Sequence, residues 1–519
     1  MPSHLYYKEI TIPGKTALVQ ENSFIGQEAE QTSLPSFTEI RDQLPCPVWE
    51  GHQDYIDCYY RAWEIAFGNL RQPVPGSGFV SNFIDTAFND CLFMWDSSFI
   101  LMFGKYANRI FNFQKTLDNL YAHQHPDGFI CREITEKTGE DRFTRHDPSA
   151  TGPEIMAWSE WEYFLNFGDT DRLARVFPPL MAYHQWMREH HTWPDGTYFS
   201  SGWGCGMDNV PRMMEGYSPE FSHGHMIWVD ACMQEMLTCN ILIEMAKVLE
   251  RTEFVAELTE ERDRLAMVIN DKLWHEPTGF YYDLWKDGHH NMVRHVGAFW
   301  SLIAACAPEE RASKMIAYLE DEGEFKTPHR VPTLSKSHPE FAPTGNYWRG
   351  AVWAPTNYMV LKGLDQYGRS DLSYTIAKEH VDAVVDVYRR EDTLFENYTA
   401  EPGSDGKITK GTPAKRDFVG WTGLSAISIL FEFVFGIKPD VVKNKITWHV
   451  NLLEEHGIQR YPFGKNGELT LLCAQRKHPD AQPEITVSSN VPVELEIIWG
   501  SEQKQTKLIC VSSECDKSI

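Results

Sequence analysis

The chain has 519 residues, of which 42% are hydrophobic and 13% aromatic, so it is long enough to bury a large core. A formal net charge of −25 argues against nucleic acid and anionic membranes as partners and is compatible with a neutral or cationic ligand. The start lacks a secretory signal, and no window approaches the roughly 18 apolar residues of a membrane span. The 11 cysteines contain no CxxC pair. Together these features predict a cytoplasmic protein with free thiols.

Residues 1–45 are predicted to form a short extended entry segment. Within it, 6–12 and 16–19 have the composition of strands and are separated by Pro13-Gly14. From residue 46 onward, hydrophobic residues recur at the spacing of helices. The predicted helices are 54–68, 91–109, 111–123, 151–167, 170–191, 226–250, 252–274, 291–306, 308–320, 345–364, 368–390 and 418–436.

Short and long connections alternate along these helices. The second helix joins the third through a few residues, as the fourth joins the fifth, whereas successive pairs are separated by long segments rich in Gly, Pro and aromatics. Because a short turn makes neighbouring helices antiparallel, this alternation brings every long segment to the same end of the assembly. The pattern predicts a mainly α fold, an (α/α)6 toroid of six helical hairpins over 46–438. An open α-solenoid is the structural alternative, but it would normally show a sequence repeat, and we find none.

The pattern changes again after Pro439. Segments 446–452, 468–472, 484–487 and 493–499 have strand character and are broken by turn residues such as Lys465-Asn466-Gly467. We therefore predict a small all-β appendage over 439–519 that packs on the toroid and has a structural role.

The six long segments carry aromatic and charged side chains to one face of the predicted toroid. Aromatic rings can stack on the C–H faces of a pyranose, and charged groups can bind its hydroxyls, so this composition predicts a carbohydrate site. The candidate residues are Trp95, Asp96, Arg132, Glu133, Asp147, Trp203, Asp208, Tyr347, Trp348, Arg349, Trp353, Glu396, Tyr398 and Trp421.

Asp208 and Glu396 are the candidate catalytic pair. Glycosidic bond hydrolysis needs one carboxyl group that donates a proton to the leaving oxygen and a second that acts as base or nucleophile. The two residues lie 188 positions apart, 396 − 208, so only the closed toroid would bring them together. An acid that works at neutral pH needs a raised pKa, and Trp203 is a candidate for the apolar surface that raises it.

Several candidates also have a purely structural interpretation. Either Trp95 or Trp353 could be a core residue, since both lie in predicted helices. Asp96 could cap a helix, Arg132 and Glu133 could form an internal ion pair, and Asp147 before Pro148 could be a turn residue.

No metal and no other cofactor is predicted. His223 and His225 lack an HxxxH arrangement and a third clustered ligand. Cys205 lies near Asp208 but has no clear His and Asn partners for thiol chemistry, so a packing role is favoured.

Four segments and one dipeptide, which occur in the same order as in the family, resemble the (α/α)6 glycoside hydrolases of family 63 and, more distantly, the trehalases. The similarity spans roughly residues 50–436. Trp-Gly-Cys-Gly-Met-Asp-Asn-Val-Pro-Arg at 203–212 is similar to the family segment Trp-x-x-Gly-Met-Asp-Asn-Ser-Pro-Arg. Phe-Glu-Asn-Tyr at 395–398 and Tyr-Trp-Arg-Gly-Ala-Val-Trp at 347–353 also match family segments. Phe-Val-Gly-Trp-Thr-Gly at 418–423 matches with one inserted valine, and Trp-Asp at 95–96 matches the start of a barrel helix.

The resemblance implies an inverting hydrolase that acts on an α-linked glucoside or mannoside. Asp208 would be the general acid, Glu396 the general base, and 347–353 part of the substrate-binding site. The glycine-rich segment that follows the base in trehalases differs here at 401–406, which disfavours trehalose itself. A small oligosaccharide or a glycosyl-glycerate remains as the substrate. Independently of the resemblance, Arg132, Arg145, Arg212, Arg349 and Arg416 leave room for a carboxylate on the leaving group, and they could equally form internal ion pairs with the abundant acidic residues.

Two other functions remain open at this point. A sugar epimerase or isomerase on the same toroid would use His223 or His225 as its proton-transfer base. A non-catalytic carbohydrate-binding protein would need no carboxyl pair. A small carbohydrate is the predicted partner in all three cases, and the sequence makes no prediction of oligomeric state.

Overall fold

A computed structural model describes residues 14–86, 89–500, 505–511 and 517–518. The predicted strand 6–12 lies outside these residues. The rest of the entry segment is not simply extended, because it contains the short helices α1, Ala17–Glu21, and α2, Phe37–Ile40. Local capping explains this difference: Thr16 Oγ1 accepts the N–H of Val19 at 3.3 Å, and Ser36 forms a capping box with Glu39. The strand predicted at 16–19 is therefore wrong.

Helices dominate the next part of the chain. The α-helices are α3 Gln53–Gly68, α4 Met94–Gly104, α5 Thr116–Ala122, α6 Met156–Phe167, α7 Thr170–His190, α8 Val229–Val248, α9 Val255–Val268, α10 Trp300–Ile303, α11 Glu309–Leu319, α12 Ala354–Gln366 and α13 Ser370–Glu391. A π-helix, Leu424–Val434, follows. The 3₁₀ segments are Arg41–Gln43, Lys105–Ala107, Phe113–Lys115, Thr252–Phe254 and Val296–Phe299, and a second π-helix is Ile269–Leu273.

Every second helix belongs to a closed inner ring. Helix α4 packs on α6, α6 on α8, α8 on α10, α10 on α12 and α12 on the π-helix Leu424–Val434, which packs back on α4. All eleven residues of α4 and all eleven of this π-helix are buried, as expected of helices that are enclosed on every side. The intervening helices lie outside this ring. The arrangement is an (α/α)6 toroid, as predicted.

Inner helices begin later than their hydrophobic patterns predict. Helix α6 begins at Met156 instead of 151, and α12 begins at Ala354 instead of 345. Trp353 is the extended N-cap residue of α12, and Pro355 occupies its first turn, where proline is well tolerated. The residues between 345 and 353 therefore belong to a loop in front of the inner ring.

The end of the chain forms two β-sheets. The strands are β11 Ile437–Asp440, β12 Lys445–His449, β13 His456–Phe463, β14 Gly467–Cys473, β15 Ile485–Ser489, β16 Val493–Trp499, β17 Gln505–Val511 and β18 Lys517–Ser518. One sheet has the order β11-β12-β16-β17, and the other runs β13-β14-β15-β18. Strands β11 and β13 contact helix α6, so this region packs on the toroid.

The second sheet also takes a strand from the beginning of the chain. Strand β1, Cys46–Trp49, pairs antiparallel with β13, with Cys46 opposite Gln459. The division of the chain at residues 45 and 438 stays a prediction. In the part of the chain described above, no helix combines the length and apolar character that crossing a membrane requires.

Short strand pairs connect the loops at one end of the ring. These strands are β2 Leu70–Arg71, β3 Phe83–Ile84, β4 Cys91–Phe93, β5 Glu133–Thr135, β6 Met226–Ile227, β7 Trp274–His275, β8 Phe280–Tyr281, β9 Asp283–Trp285 and β10 His290–Asn291. The pairing of β4 with β5 places Phe93 opposite Glu133, just in front of α4.

Candidate active site

A cavity of about 280 Å³ opens where the inner helices begin. Its walls come from the loops that precede α4, α6, α8, α12 and the π-helix Leu424–Val434, which are the long segments of the sequence pattern. The lining residues are Asn89, Phe93, Trp95, Asp96, Arg132, Glu133, Arg142, Gly152, Pro153, Trp203, Gly206, Asp208, Tyr347, Trp348, Lys415 and Trp421.

The loop that carries Asp208 is held close to its neighbours by glycines. Gly206 has φ +74°, and a Cβ atom there would lie 2.9 Å from Cε2 of Trp95. A Cβ atom on Gly202 would lie 2.2 Å from the backbone oxygen of Pro219. Only residues without a side chain fit these positions, so the loop can bring Asp208 directly against the wall formed by Trp95.

Asp208 is a half-buried carboxyl group that faces the cavity. Its pKa is raised to about 7, chiefly by burial and also by the negative charges of Glu396 and Glu133, while Arg132 acts in the opposite direction. Among the described residues, no side chain donates a hydrogen bond to this carboxyl group. The environment therefore favours the protonated form of Asp208 near neutral pH.

Glu396 lies behind the lining residues and is 2% exposed. Burial raises the pKa of its carboxyl group, and three contacts lower it: the backbone N–H of Lys415 at 3.0 Å, the hydroxyl of Tyr347 at 3.1 Å and the charge of Lys415. The backbone is fixed as well, because Trp421 donates its indole N–H to the carbonyl oxygen of Glu396 at 2.9 Å. Its hydrogen-bond donors come from two other residues and stabilise its ionised form, whereas the donor to the Asp208 carboxyl group is the backbone N–H of Asp208 itself.

The floor of the cavity holds a second group of charged side chains at the start of α4. Arg132 Nη2 pairs with Glu133 Oε1 at 2.6 Å, and its guanidinium lies 4.6 Å from the ring centre of Phe143. The ion pair considered from the sequence is thus present, and it lines the cavity. Burial raises the pKa of Asp96, whose Oδ1 finds no hydrogen-bond partner among the described residues. The indole N–H of Trp95 is buried and likewise finds no partner among them.

Asn209 joins the Asp208 loop to the loop in front of α12. Its Oδ1 accepts the backbone N–H of Trp348 at 2.8 Å, and its Nδ2 donates to the carbonyl oxygen of Asn346 at 2.9 Å. Arg349 Nε donates to the carbonyl oxygen of Asn209 at 2.9 Å. The sequence analysis did not select Asn209, although it lies next to Asp208.

Four of the predicted binding residues do not line the cavity. Asp147 forms a turn, in which its carboxylate accepts the N–H of Ser149 at 2.7 Å. Arg349 points to Glu340. Trp353 is fully buried and stacks on Trp348, with ring centres 3.8 Å apart and planes within 4°. Tyr398 is also buried, and its hydroxyl accepts the N–H of Phe395. A contribution of Trp353 or Tyr398 to binding would therefore act through the residues that do line the cavity.

Charged residues that were not predicted also line the cavity. Arg142 lies after β5 and Lys415 shortly before Trp421. Arg142 has no ion pair and no side-chain hydrogen bond with the described residues. The remaining unpredicted lining residues are Asn89, Phe93, Gly152 and Pro153. The one feature of the sequence that could have identified all of these unpredicted lining residues is their position in the long connections between helices.

The other arginines considered from the sequence are paired with acids away from the cavity. Arg145 contacts Asp127 at 2.8 Å, Arg416 contacts Glu391 at 3.3 Å, and the buried Arg212 binds both Asp230 and Asp283. His223 and His225 pack against each other with ring centres 4.6 Å apart and do not line the cavity. The two histidines considered as the proton-transfer base of an epimerase are therefore not at this site.

A family model and several known proteins match the chain. The model, described as a mannosylglycerate hydrolase MGH1-like glycoside hydrolase domain, matches residues 91–422. An uncharacterized protein of Borreliella burgdorferi is 25% identical over 389 residues, which cover 73% of this chain and 78% of the relative. The mannosylglycerate hydrolase of Thermus thermophilus is 24% identical over 349 residues, which cover 54% of this chain and 83% of the relative.

A solved structure has the same fold. The crystal structure of a GH63 mannosylglycerate hydrolase from Thermus thermophilus in complex with glucose aligns with a TM-score of 0.56 at 22% identity. The alignment covers 71% of this chain and 99% of the other. At this level of identity the likeness concerns the fold alone.

Proposed function

This chain belongs to the mannosylglycerate hydrolase MGH1-like glycoside hydrolases and is therefore a glycosidase, and we propose that it hydrolyses an α-linked glucoside or mannoside with inversion of the anomeric carbon. The observation that carries the proposal is the contrast between the carboxyl group of Asp208, which lines the cavity, and that of Glu396, which lies behind its lining residues. Asp208 has a pKa of about 7 and accepts no side-chain hydrogen bond among the described residues, whereas Glu396 accepts one from the hydroxyl of Tyr347 and another from the backbone N–H of Lys415. Such a difference separates an acid from a base.

In this mechanism Asp208 donates its proton to the glycosidic oxygen as the bond to the anomeric carbon breaks. Glu396 removes a proton from a water molecule that attacks the opposite face of the sugar. An inverting site holds its carboxyl groups about 6.5–9.5 Å apart to leave room for this water, against about 5–5.5 Å in a retaining site.

The cavity floor supports binding of one pyranose ring. Asp96 Oδ1 and the indole N–H of Trp95 are buried polar atoms that lack hydrogen-bond partners in residues 14–86 and 89–500, and sugar hydroxyls would complete their hydrogen bonds. Trp203, Trp348 and Trp421 provide apolar surface along the walls. The same residues would recognise glucose or mannose, and relatives named for both mannosylglycerate and glucosylated mannosyl-oligosaccharides leave both sugars as candidates.

The volume and charge of the cavity favour a small leaving group. About 280 Å³ holds one hexose and a short substituent, so a glycosyl-glycerate or a disaccharide fits better than a long chain. Arg142, which forms no close ion pair in the described part of the chain although its charge acts on Glu133, and Lys415 both face this space. They support a leaving group with a carboxylate, because cations near the cavity reduce the cost of burying an anion.

Proton NMR of the initial product tests the proposal. α-Glucosyl-glycerate, α-mannosyl-glycerate and a panel of α-linked disaccharides are incubated with the enzyme, and the first anomer released is recorded before mutarotation. We expect the β-anomer from at least one substrate. Asp208→Asn and Glu396→Gln should each reduce kcat by about 10²–10⁴-fold, the usual contribution of a general acid or base. Release of the α-anomer, or full activity of either variant on that substrate, would refute the mechanism.

A further inference from the structure

A separate group of buried ionisable side chains lies directly behind the cavity wall. Glu154 follows Gly152 and Pro153, which line the cavity, and its carboxyl group meets His184 of α7. His184 Nδ1 is 3.1 Å from Oε2 of Glu154 and 3.3 Å from Oε2 of Glu235 on α8. His184 is 0% exposed, Glu154 1% and Glu235 2%. None of these groups takes part in the proposed mechanism.

The opposite edge of the same imidazole is also engaged. His184 Nε2 is 3.2 Å from Oε2 of Glu261 on α9 and 3.6 Å from Sγ of Cys239 on α8. Tyr198 donates its hydroxyl hydrogen to Glu261 as well. A carboxylate that accepts a hydrogen bond from one imidazole nitrogen orients the ring and leaves the other nitrogen free to bind a metal.

Oxygen atoms on the Nδ1 side lack well-aligned donors. Glu154 Oε1 and Glu235 Oε2 are buried and accept no hydrogen bond of good geometry from the described residues. Two carboxyl groups that meet at one point inside a protein need either a proton or a cation between them, because unscreened like charges are costly there. A cation bound by both carboxylates would take the place of this proton.

We propose that Glu154, His184 through Nδ1, and Glu235 bind one divalent metal ion of the zinc or manganese class. Ligand atoms about 2.0–2.2 Å from a tetrahedral zinc ion lie about 3.3–3.6 Å from one another. The observed separations from Nδ1, 3.1 and 3.3 Å, need only a small adjustment. One imidazole and two carboxylates form a mixed N and O set that suits these metals.

Charge balance permits metal binding at this cluster. Without metal, one carboxylate, one carboxylic acid and one imidazolium have a net charge of zero. With metal, two carboxylates, a neutral imidazole and a divalent cation also have a net charge of zero. Binding thus exchanges two protons for one cation, and no charge is added to the buried cluster.

The ion would stabilise the wall of the active site and would not react with substrate. Glu154 ends the segment that forms part of this wall, and its carbonyl oxygen accepts the hydroxyl hydrogen of Thr238 on α8 at 2.6 Å. A metal bound to Glu154, His184 and Glu235 would therefore tie the segment to both α7 and α8. The prediction of a metal-free protein did not consider these ligands, because they come from three distant segments.

Metal analysis of the full-length protein tests the proposal. The protein is treated with EDTA, dialysed, and titrated with Zn²⁺ and separately with Mn²⁺ while Tm and bound metal are measured. We expect one equivalent of at least one metal to bind and to raise Tm. Glu235→Gln should weaken this binding at least tenfold, whereas Glu244→Gln, an exposed glutamate on the same helix, should leave it unchanged.

The variant Cys239→Ser locates the ion on one edge of the imidazole. It should retain metal binding, because Cys239 faces Nε2. If Cys239→Ser lost metal binding while Glu235→Gln retained it, the ion would lie at Nε2 of His184 instead of Nδ1, and the proposal would be overturned. Absence of binding and of any Tm increase in the unmodified protein would overturn it too, since the cluster would then be held by protons alone. Tm of each metal-free variant verifies folding independently of activity.

Discussion

Tyr347 donates its hydroxyl hydrogen to Oε1 of Glu396 at 3.1 Å. The pKa of this tyrosine is raised by burial and by the charges of Asp208 and Glu396, so the hydroxyl lies within the electrostatic reach of both carboxyl groups. It remains a neutral donor at every pH at which the enzyme could work. Tyr347 therefore links the proposed acid and base, and it stabilises the ionised form of the base.

The first prediction concerns the variant Tyr347→Phe. Loss of a hydrogen bond to a charged group costs about 1.5–3 kcal/mol, which corresponds to roughly 10- to 150-fold in kcat/KM. Since the hydroxyl lowers the pKa of Glu396, its removal should also move the acidic limb of the pH profile to higher pH. A pH series of kcat/KM measures both effects. A lower kcat/KM with an unshifted acidic limb would show that Tyr347 contacts substrate without tuning the base.

The second prediction is a narrow bell-shaped pH profile. Asp208 must be protonated and its pKa is about 7, so kcat/KM should fall as pH rises through about 7. Glu396 must be ionised and its pKa is raised by burial, so the acidic limb should lie above the range of an ordinary glutamate. Initial rates between pH 4 and 9 measure the profile. Undiminished activity at pH 9 would contradict the assignment of Asp208 as acid.

The third prediction is that Asp208→Asn stabilises the protein at alkaline pH. The folded pKa of about 7 exceeds the unfolded value near 3.9, so the favourable contribution of the protonated carboxyl is complete below about pH 4 and is lost as pH rises through 7. The neutral amide avoids this loss. The variant should gain on the order of a few kcal/mol relative to wild type between pH 4 and 8. Urea unfolding at both pH values measures this gain. If the difference in free energy of unfolding between variant and wild type were the same at both pH values, the prediction would be contradicted.

A fourth prediction compares two glycines with positive φ. Gly206 has φ +74° and contacts Trp95, whereas Gly216 has φ +91° and a Cβ atom there would meet no other atom within 4 Å. Alanine at either position should cost about 1 kcal/mol of stability through backbone strain. Only Gly206→Ala should also displace Trp95 and lower kcat/KM, by about tenfold or more. Equal kinetic losses in the two variants would indicate general loop disorder instead.

Much of the toroid could be predicted because its signals are local. Helical periodicity and the alternation of short and long connections are properties of neighbouring residues, and they predict the closed ring before any contact is known. The late start of α12 was missed because Tyr347 and Trp348 continue the apolar pattern while facing the cavity. Strand β1 was missed since its partner β13 lies about 400 residues further along the chain.

The residues of the candidate site likewise fall into those that local motifs predict and those that only contacts between distant segments reveal. The motif around Asp208 and the Trp95-Asp96 pair identify residues that do line the cavity. Arg142 and the cluster around His184 could not be found from spacing, because their neighbours come from distant segments. Trp353 shows the opposite error: its motif suggests direct binding, but its ring is fully covered by Trp348 and other core residues.

The last prediction concerns Asn209 as a positioning residue. Asn209→Ala removes the acceptor for the N–H of Trp348 and the donor to Asn346, two bonds between the loop of Asp208 and the loop in front of α12. Each bond contributes about 0.5–1.5 kcal/mol, so the combined loss corresponds to roughly 5- to 150-fold in kcat/KM. Because Trp348 and Asp208 would shift relative to each other, both a higher KM and a lower kcat are expected.

The variant Asn346→Gly is the control for this experiment. It keeps the carbonyl oxygen that accepts the bond from Asn209, and glycine tolerates the φ of +39° at this position. Its kinetics should stay within about twofold of wild type, and Asn209→Ala should change Tm by only a few degrees. If both variants lost activity equally, mobility of the 345–350 loop would explain the result. A selective loss in Asn209→Ala would instead establish that the contact between the two loops sets the geometry of the acid.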